Sequence, residues 1–209
     1  MISHKYKFIC PRIGKNASST LVVYFKKFDK KLIDEGHRSV LGKGFAAFLK
    51  GPYCRFDHST YFKFAFSRNP FDRLVSAFYE YRKADQFADI KNLVRRHSTL
   101  EVEKTIKDFE SFVEMTHVFP HIHWNCQYDM IHNKGKLLVD FIGKVETLGR
   151  DINVICKKVG IKNDQTAIPQ VRSSVNKKDY TTYYTSSLRE KVGLTYAKDL
   201  SYFGYGFNK

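Results

Sequence analysis

Two short apolar runs, Tyr6-Lys7-Phe8-Ile9-Cys10 and Tyr61 to Phe66, are bounded by polar stretches and read as strands of a sheet interior. A loop follows each, and then apolar residues at helical spacing. Leu21, Phe25, Phe28 and Leu32 mark one helical face after the first run, and Leu74, Phe78 and Tyr81 mark another after the second. The second helix has a clear start: Asn69 suits the N-cap, Pro70 the first helical position, and Asp72 the first turn, where the helix dipole favours an acid. A further helix is expected from about Asp108 with Phe109, Phe112 and Val113 inward. A last one uses Leu188, Val192 and Tyr196, with Ser186 or Ser187 as its cap. Between Lys83 and Lys107, residues such as Asp89, Lys91, Arg95, Arg96 and His97 dilute the apolar pattern, so 83–107 reads as an insert over the active face.

Both strand-to-helix junctions carry anion-binding groups. Arg68 stands at the carboxyl end of the second strand beside a helix start, where it suits bidentate pairing with a phosphate, and Ser76 adds a hydroxyl from the helix. The plain alternative is surface ion pairing of Arg68 and Arg73 with Asp72. At the first junction, Pro11-Arg12-Ile13-Gly14-Lys15-Asn16-Ala17-Ser18-Ser19-Thr20 places Lys15 and three hydroxyls where helix N–H groups already attract anions. A nucleoside-triphosphate loop needs an upstream Gly, where Cys10 or Pro11 stands, and a hydroxyl after the Lys, where Asn16 stands. What remains is a loop for a phosphate or phosphosulfate with no evident metal ligand.

These residues resemble the sulfotransferases that use 3′-phosphoadenosine 5′-phosphosulfate (PAPS), in particular the carbohydrate group with Golgi and bacterial members. Gly14-Lys15-Asn16-Ala17-Ser18-Ser19-Thr20-Leu21 looks like that family's 5′-phosphosulfate loop, with Gly14 where the family often has Pro. Arg68 and Ser76 are similar in type and spacing to its 3′-phosphate pair. His123-Trp124-Asn125-Cys126-Gln127 is similar to its His-Trp-x-x-Gln segment, Phe141 to Leu148 to its later strand-to-helix junction, and Asp199 to Tyr205 to its ending. The resemblance implies an α/β fold of three layers, P-loop-like, with a mainly parallel central sheet. It also implies PAPS as sulfuryl donor, Arg12, Lys15, Asn16, Ala17, Ser18, Ser19 and Thr20 at the phosphosulfate, and Arg68 and Ser76 at the 3′-phosphate. Arg172, Ser174 and Lys177 lie in the basic stretch 169–178, comparable to a family loop that closes over the nucleotide.

Composition narrows the partners without choosing among them. A chain of 209 residues suits one α/β domain, read as 1–209. Its formal charge of +15 implies polyanionic partners: nucleic acid, an acidic membrane surface or an acidic glycan. Lys26-Lys27 and Lys30-Lys31 are read as solvated charge. The acceptor expected is a carbohydrate or glycoconjugate, with peripheral membrane contact open. The competing classes are a basic nucleic-acid-binding module, which lacks an RNA-recognition or zinc-finger signature, and a nucleotide kinase, which lacks the Walker residues. Residues 1–7 hold no apolar leader core, and no stretch approaches the roughly 20 apolar residues of a membrane span, so a cytoplasmic location is expected. Cys10, Cys54, Cys126 and Cys156 show no C-x-x-C pairing; Cys10 and Cys156 read as buried thiols. His117, His121 and His123 lack regular ligand spacing around Pro120, so no metal is expected. Trp124 suits either a sugar face or the core.

Sulfuryl transfer to a hydroxyl is an in-line displacement. The site must align donor and acceptor, meet the charge that grows on the departing phosphate, and take the acceptor's proton. Lys15 is the candidate for the leaving oxygen, with Arg12 accessory. His58, His121, His123 and His37 are candidates for the base, in that order, and Glu146 is a further one.

Overall fold

Along the chain run β1 (Ile2–Ser3), β2 (Phe8–Ile9), α1 (Ser18–Lys26), α2 (Gly44–Lys50), β3 (Phe62–Ser67), α3 (Pro70–Tyr81), α4 (Ala88–His97), α5 (Val102–Lys107), α6 (Phe109–Val118), α7 (Gln127–Ile131), β4 (His132–Asn133), β5 (Lys136–Leu137), β6 (Phe141–Lys144), α8 (Leu148–Val159), α9 (Ser186–Thr195) and α10 (Ala197–Phe203). The structure, a computed structural model, describes residues 1–36, 44–51, 54, 56–83, 87–162, 168 and 179–208. The chain forms two compact units: residues 1–68 with 127–173, and residues 69–126 with 174–209.

The first unit is mixed α/β. Its sheet has the order β1-β2-β3-β6, with β1 antiparallel to β2 and the β2, β3 and β6 strands parallel. Because side chains alternate along a strand, Phe64 and Phe66 of β3 share one face. Phe8 joins them, and Leu21, Tyr24 and Phe25 of α1 and Ile152, Ile155 and Cys156 of α8 pack into the same core. The Phe8 and Phe25 rings lie 4.9 Å apart and those of Phe25 and Phe64 5.7 Å apart. Each such burial is worth about 1.5–3 kcal/mol, so the aromatic run that predicts a strand also seats the helix on it. Cys10 and Cys156 are buried here as free thiols, and burial pushes the Cys10 thiol up to about 12.

The first strand and the first helix depart from the sequence reading at their boundaries. The first strand is only Phe8–Ile9, because Lys7 adopts a left-handed turn at φ 48° between β1 and β2. The first helix ends at Lys26, short of Phe28 and Leu32, where Asp29 draws the chain into a turn: its carboxylate accepts from Ser3 Oγ at 2.6 Å and from the Lys31 N–H at 3.0 Å.

The second unit is helical among its described residues, comprising α3 to α6, α9 and α10. Leu74, Phe78 and Tyr81 of α3 meet Phe112 and Val113 of α6 and Val192 of α9, as their spacing predicts. Asn69 caps α3, accepting from the Phe71 N–H at 3.0 Å, and Asp108 caps α6, accepting from the Ser111 N–H at 2.8 Å. The cap of α9 is Thr185, accepting from the Leu188 N–H at 3.2 Å, rather than Ser186 or Ser187, which lie inside the helix. The described part of 83–107 is α4 and α5; Ile90, Val94 and Val102 enter the core of this unit. Arg73 is not a surface ion pair. It is buried, and its guanidinium donates to the carbonyls of Asn125 (2.7 Å) and Ile122 (2.9 Å). Trp124 is core, 2% exposed, with its indole N–H on the Phe119 carbonyl at 2.8 Å. Among the described residues no helix is long and apolar enough to cross a membrane.

Candidate functional site

In parallel α/β units, ligands gather at the carboxyl ends of the strands. In the first unit that end carries the loop from Cys10 to Ala17, between β2 and α1, and Arg68, just past β3. The loop holds Lys15 at φ 68° and Ala17 at φ 55°, left-handed conformations that cost an L-residue roughly 1–2 kcal/mol each. Such strain persists only where the surroundings over-determine it.

Here they do so through one buried side chain. Gln127 opens α7 and is 0% exposed. Its Oε1 accepts from the Arg68 N–H at 3.0 Å and from Asn16 Nδ2 at 2.6 Å, while its Nε2 donates to the Arg68 carbonyl at 2.9 Å. Asn16 Nδ2 also donates to the Phe66 carbonyl at 2.6 Å, and Arg68 Nη1 donates to the Lys15 carbonyl at 2.9 Å. The loop is thereby stitched to the end of β3 at Lys15 and at Asn16. Asn16 Oδ1 is buried with no hydrogen-bond partner among the described residues.

The stitched loop delivers an open helix end. The N-cap of α1 is Ala17, which has no side-chain oxygen to accept from the first-turn N–H groups, and that turn holds no acid. Ser18, Ser19 and Thr20 bring hydroxyls to the same turn. The other helix of this unit that follows a parallel strand is built differently. In α8, Asp151 sits in the first turn, and its carboxylate accepts from the Lys144 N–H (2.8 Å), Thr147 Oγ1 (2.7 Å) and Arg150 Nε (2.9 Å). Burial opposes ionisation of Asp151, yet these hydrogen bonds outweigh it and hold the carboxyl below its ordinary value. An anion is therefore favoured at α1, and α8 supplies its own.

The remaining sequence candidates are spread out. Arg12 belongs to the first unit; its Nη1 donates to both carboxylate oxygens of Asp34, at 2.8 and 2.7 Å, and its Nη2 lies 3.4 Å from Ser19 Oγ. His58 lies before β3, at the strand end opposite Arg68; six strand residues put about 20 Å between the two ends. Its Nε2 donates to the Leu49 carbonyl at 3.1 Å, and its buried Nδ1 has no partner among the described residues. Glu146 is exposed in the short 3₁₀ turn before α8. Ser76 sits half-buried on α3 in the second unit. His121 and His123, also in the second unit, stack with ring centroids 4.8 Å apart and Nδ1 atoms 3.0 Å apart. The His123 main-chain N–H also points at His121 Nδ1, at 3.3 Å, which makes that atom the acceptor and gives His123 the Nδ1–H tautomer. The lone pair of His123 is then on Nε2. His37, Arg172, Ser174 and Lys177 lie outside the described residues. Among the described residues, no three His, Cys, Asp or Glu side chains converge as a metal-ligand set.

Gln127 is the residue that sequence reasoning missed. The His-Trp-x-x-Gln segment contained it, but nothing in a linear pattern shows that its amide meets Arg68 and Asn16, 59 and 111 positions away.

Comparison with known proteins follows the same lines. The family model described as "Sulfotransferase family" matches residues 1–206. Carbohydrate sulfotransferase 12 of Xenopus laevis is 27% identical over 170 residues, which cover 69% of this chain and 40% of that protein. Carbohydrate sulfotransferase 11 of Rattus norvegicus is 28% identical over 120 residues, 49% of this chain and 34% of that protein. An uncharacterized protein of Archaeoglobus fulgidus is 27% identical over 104 residues, 50% of this chain and 72% of its own length. The matched regions thus span 40% or less of the two carbohydrate sulfotransferases. No solved structure matches.

Proposed function

This chain belongs to the sulfotransferase family, and from that premise we propose that it moves a sulfuryl group from PAPS to a hydroxyl of a carbohydrate or glycoconjugate acceptor. The observation that carries the reading is the uncapped, acid-free first turn of α1, presented by a loop that Gln127 and Arg68 hold in a strained conformation. The residues fit an anionic phosphosulfate: main-chain N–H groups, the hydroxyls of Ser18, Ser19 and Thr20, and the Lys15 ammonium are all donors. The nucleotide supplies the sulfuryl group and departs as adenosine 3′,5′-bisphosphate.

The chain's own work is positioning and electrostatics. The first-turn N–H groups of α1 and the three hydroxyls orient the 5′ end, and Lys15 meets the negative charge that grows on the leaving oxygen. Arg68 and Ser76 are assigned to the 3′-phosphate on sequence similarity. Arg12 acts through Asp34 and Ser19 to brace the loop. For the base, the candidates are His58, whose Nε2 donates to the Leu49 carbonyl and whose Nδ1 keeps its lone pair, and the stacked His121 and His123. Incubation with PAPS labelled in the sulfuryl group, against neutral and acidic glycans and small phenols, tests the reading. Labelled glycan together with released adenosine 3′,5′-bisphosphate is expected. Label on phenols alone would remove the carbohydrate assignment, and tight ATP binding with phosphoryl transfer would replace the reading by a kinase.

A further inference from the structure

At the pole of the first unit opposite the Lys15 loop, the turn between β1 and β2 faces the chain that leaves α1. Helix α1 has nine residues, so its two ends are about 13 Å apart. Two bonds tie the segments together, Ser3 Oγ donating to Asp29 Oδ2 at 2.6 Å and Lys5 Nζ to the Phe28 carbonyl at 2.9 Å, and within the second segment the Lys31 N–H donates to Asp29 Oδ1 at 3.0 Å. A lysine-rich surface on a convex helix would simply be solvated. This one is concave, enclosing a cavity of about 640 Å³ lined by His4, Lys5, Lys27, Phe28, Asp29, Lys30 and Lys31.

Among the described residues that line it, four ammonium groups stand against one carboxylate, a net of three positive charges with His4 counted as neutral. The carboxylate does not neutralise them. Asp29 is 5% exposed, and both its oxygens are taken by the frame, from Ser3 and from the Lys31 main chain. The carboxyl end of α1 adds a partial negative charge, which the lysines outweigh. Among the described residues the cationic lining is lysine, so recognition by these groups is by charge density rather than by a planar fork. The size lies within the ordinary range of small-ligand pockets, about 300–1,000 Å³.

We propose that this cavity is a second anion site, remote from the Lys15 loop, which binds a compact ligand carrying two or more sulfate- or phosphate-type oxyanions. Lys30 and Lys31 supply mobile point charges at its rim, Lys5 is held by Phe28 on one wall, and the Phe28 ring offers an apolar floor to the body of the ligand. The site stands independently of the sulfuryl-transfer reading.

The test uses the whole chain, isotope-labelled for amide NMR, titrated with a disulfated disaccharide and separately with inorganic pyrophosphate. Saturable shifts at Lys5, Phe28 and Lys31 are expected with at least one probe, and the two arms tell a sulfated sugar from a phosphate compound. Lys30 and Lys31 are exposed, and the bond from Lys31 to Asp29 is made by the main chain, so Lys30→Glu/Lys31→Glu spares the frame. The double reversal replaces two attractive charges by two repulsive ones and should weaken the binding about tenfold or more. Lys15→Ala should leave these shifts unchanged. Absence of saturable shifts with both probes, or equal affinity in the charge-reversed variant, overturns the proposal. Saturable binding here in a chain that transfers no sulfuryl group would support this site while refuting the proposed function.

Discussion

Gln127 reads the main chain of Arg68 as a neighbouring strand would, accepting from its N–H at 3.0 Å and donating to its carbonyl at 2.9 Å. One amide side chain thus extends the hydrogen bonding of β3 past its end, and it does so beside the Lys15 loop. Replacing it leaves buried groups without partners, at about 1–3 kcal/mol each. Gln127→Ala should therefore lower the stability of the chain and weaken adenosine 3′,5′-bisphosphate binding together. Gln127→Glu keeps the acceptor and loses the donor, so it should fall between. Thermal melts beside calorimetric titration check this; unchanged nucleotide affinity in Gln127→Ala would separate the clamp from the site.

Lys15 tests the chemistry. Its backbone is left-handed, and alanine meets the same steric cost there as lysine, so Lys15→Ala removes the ammonium without changing the loop's strain. A group that meets charge only as the bond breaks should affect turnover more than binding. Loss of about 10²–10³ in turnover at saturating PAPS is expected, with a much smaller change in adenosine 3′,5′-bisphosphate affinity. Near-normal turnover would remove Lys15 from the reaction.

Arg68 tests the nucleotide. If its guanidinium reads the 3′-phosphate, adenosine 3′,5′-bisphosphate should bind much better than AMP, and Arg68→Ala should erase most of that preference. The bond from Arg68 Nη1 to the Lys15 carbonyl predicts a second effect, a loosened loop, visible as faster amide exchange at residues 14–18. Equal affinity of the unaltered protein for the two nucleotides would refute the assignment.

Gly143 of β6 is paired with Phe66 of β3, and a Cβ placed there would lie 2.6 Å from Phe66 Cε1. Phe66 is 2% exposed and packed into the core of the first unit, its ring 6.3 Å from that of Phe64, so it cannot simply swing away. Gly143→Ala should destabilise the chain by about 1–3 kcal/mol, as overpacking does. Phe66→Leu should lessen that cost in the double variant. Urea denaturation of the four proteins gives the coupling; additive effects would show that the close approach is not the cause.

Asp151 links stability to pH. Its carboxyl is held below the ordinary value by hydrogen bonds that overcome burial, so the folded state binds its proton less readily than the unfolded chain. That contribution is fully present above the unfolded pKa and is lost as pH falls through the lower folded one. Asp151→Asn should therefore lower stability at neutral pH, with the difference from the unaltered protein shrinking as acid protonates the carboxyl. A difference that stays constant from neutral to acid pH would mean the carboxylate charge is not what matters.

Local signals in the chain carried much of this. The aromatic runs at Phe8 and Phe62–Phe66, the Asn69-Pro70 start of α3, the Asp108 cap and the Lys15 loop are set by short-range physics: alternation on a strand, an oxygen for orphan N–H groups, a helix start without an acid. The helical spacing from Phe25 through Phe28 and Leu32 misled, because periodicity cannot see Ser3 drawing Asp29 into a turn from 26 residues away. The same limit hid Gln127, the core role of Arg73 and the lysine cavity. Each depends on groups far apart in sequence that share a hydrogen bond or a void only once the layers have packed, and a one-dimensional pattern records residue types but not which of them desolvate together.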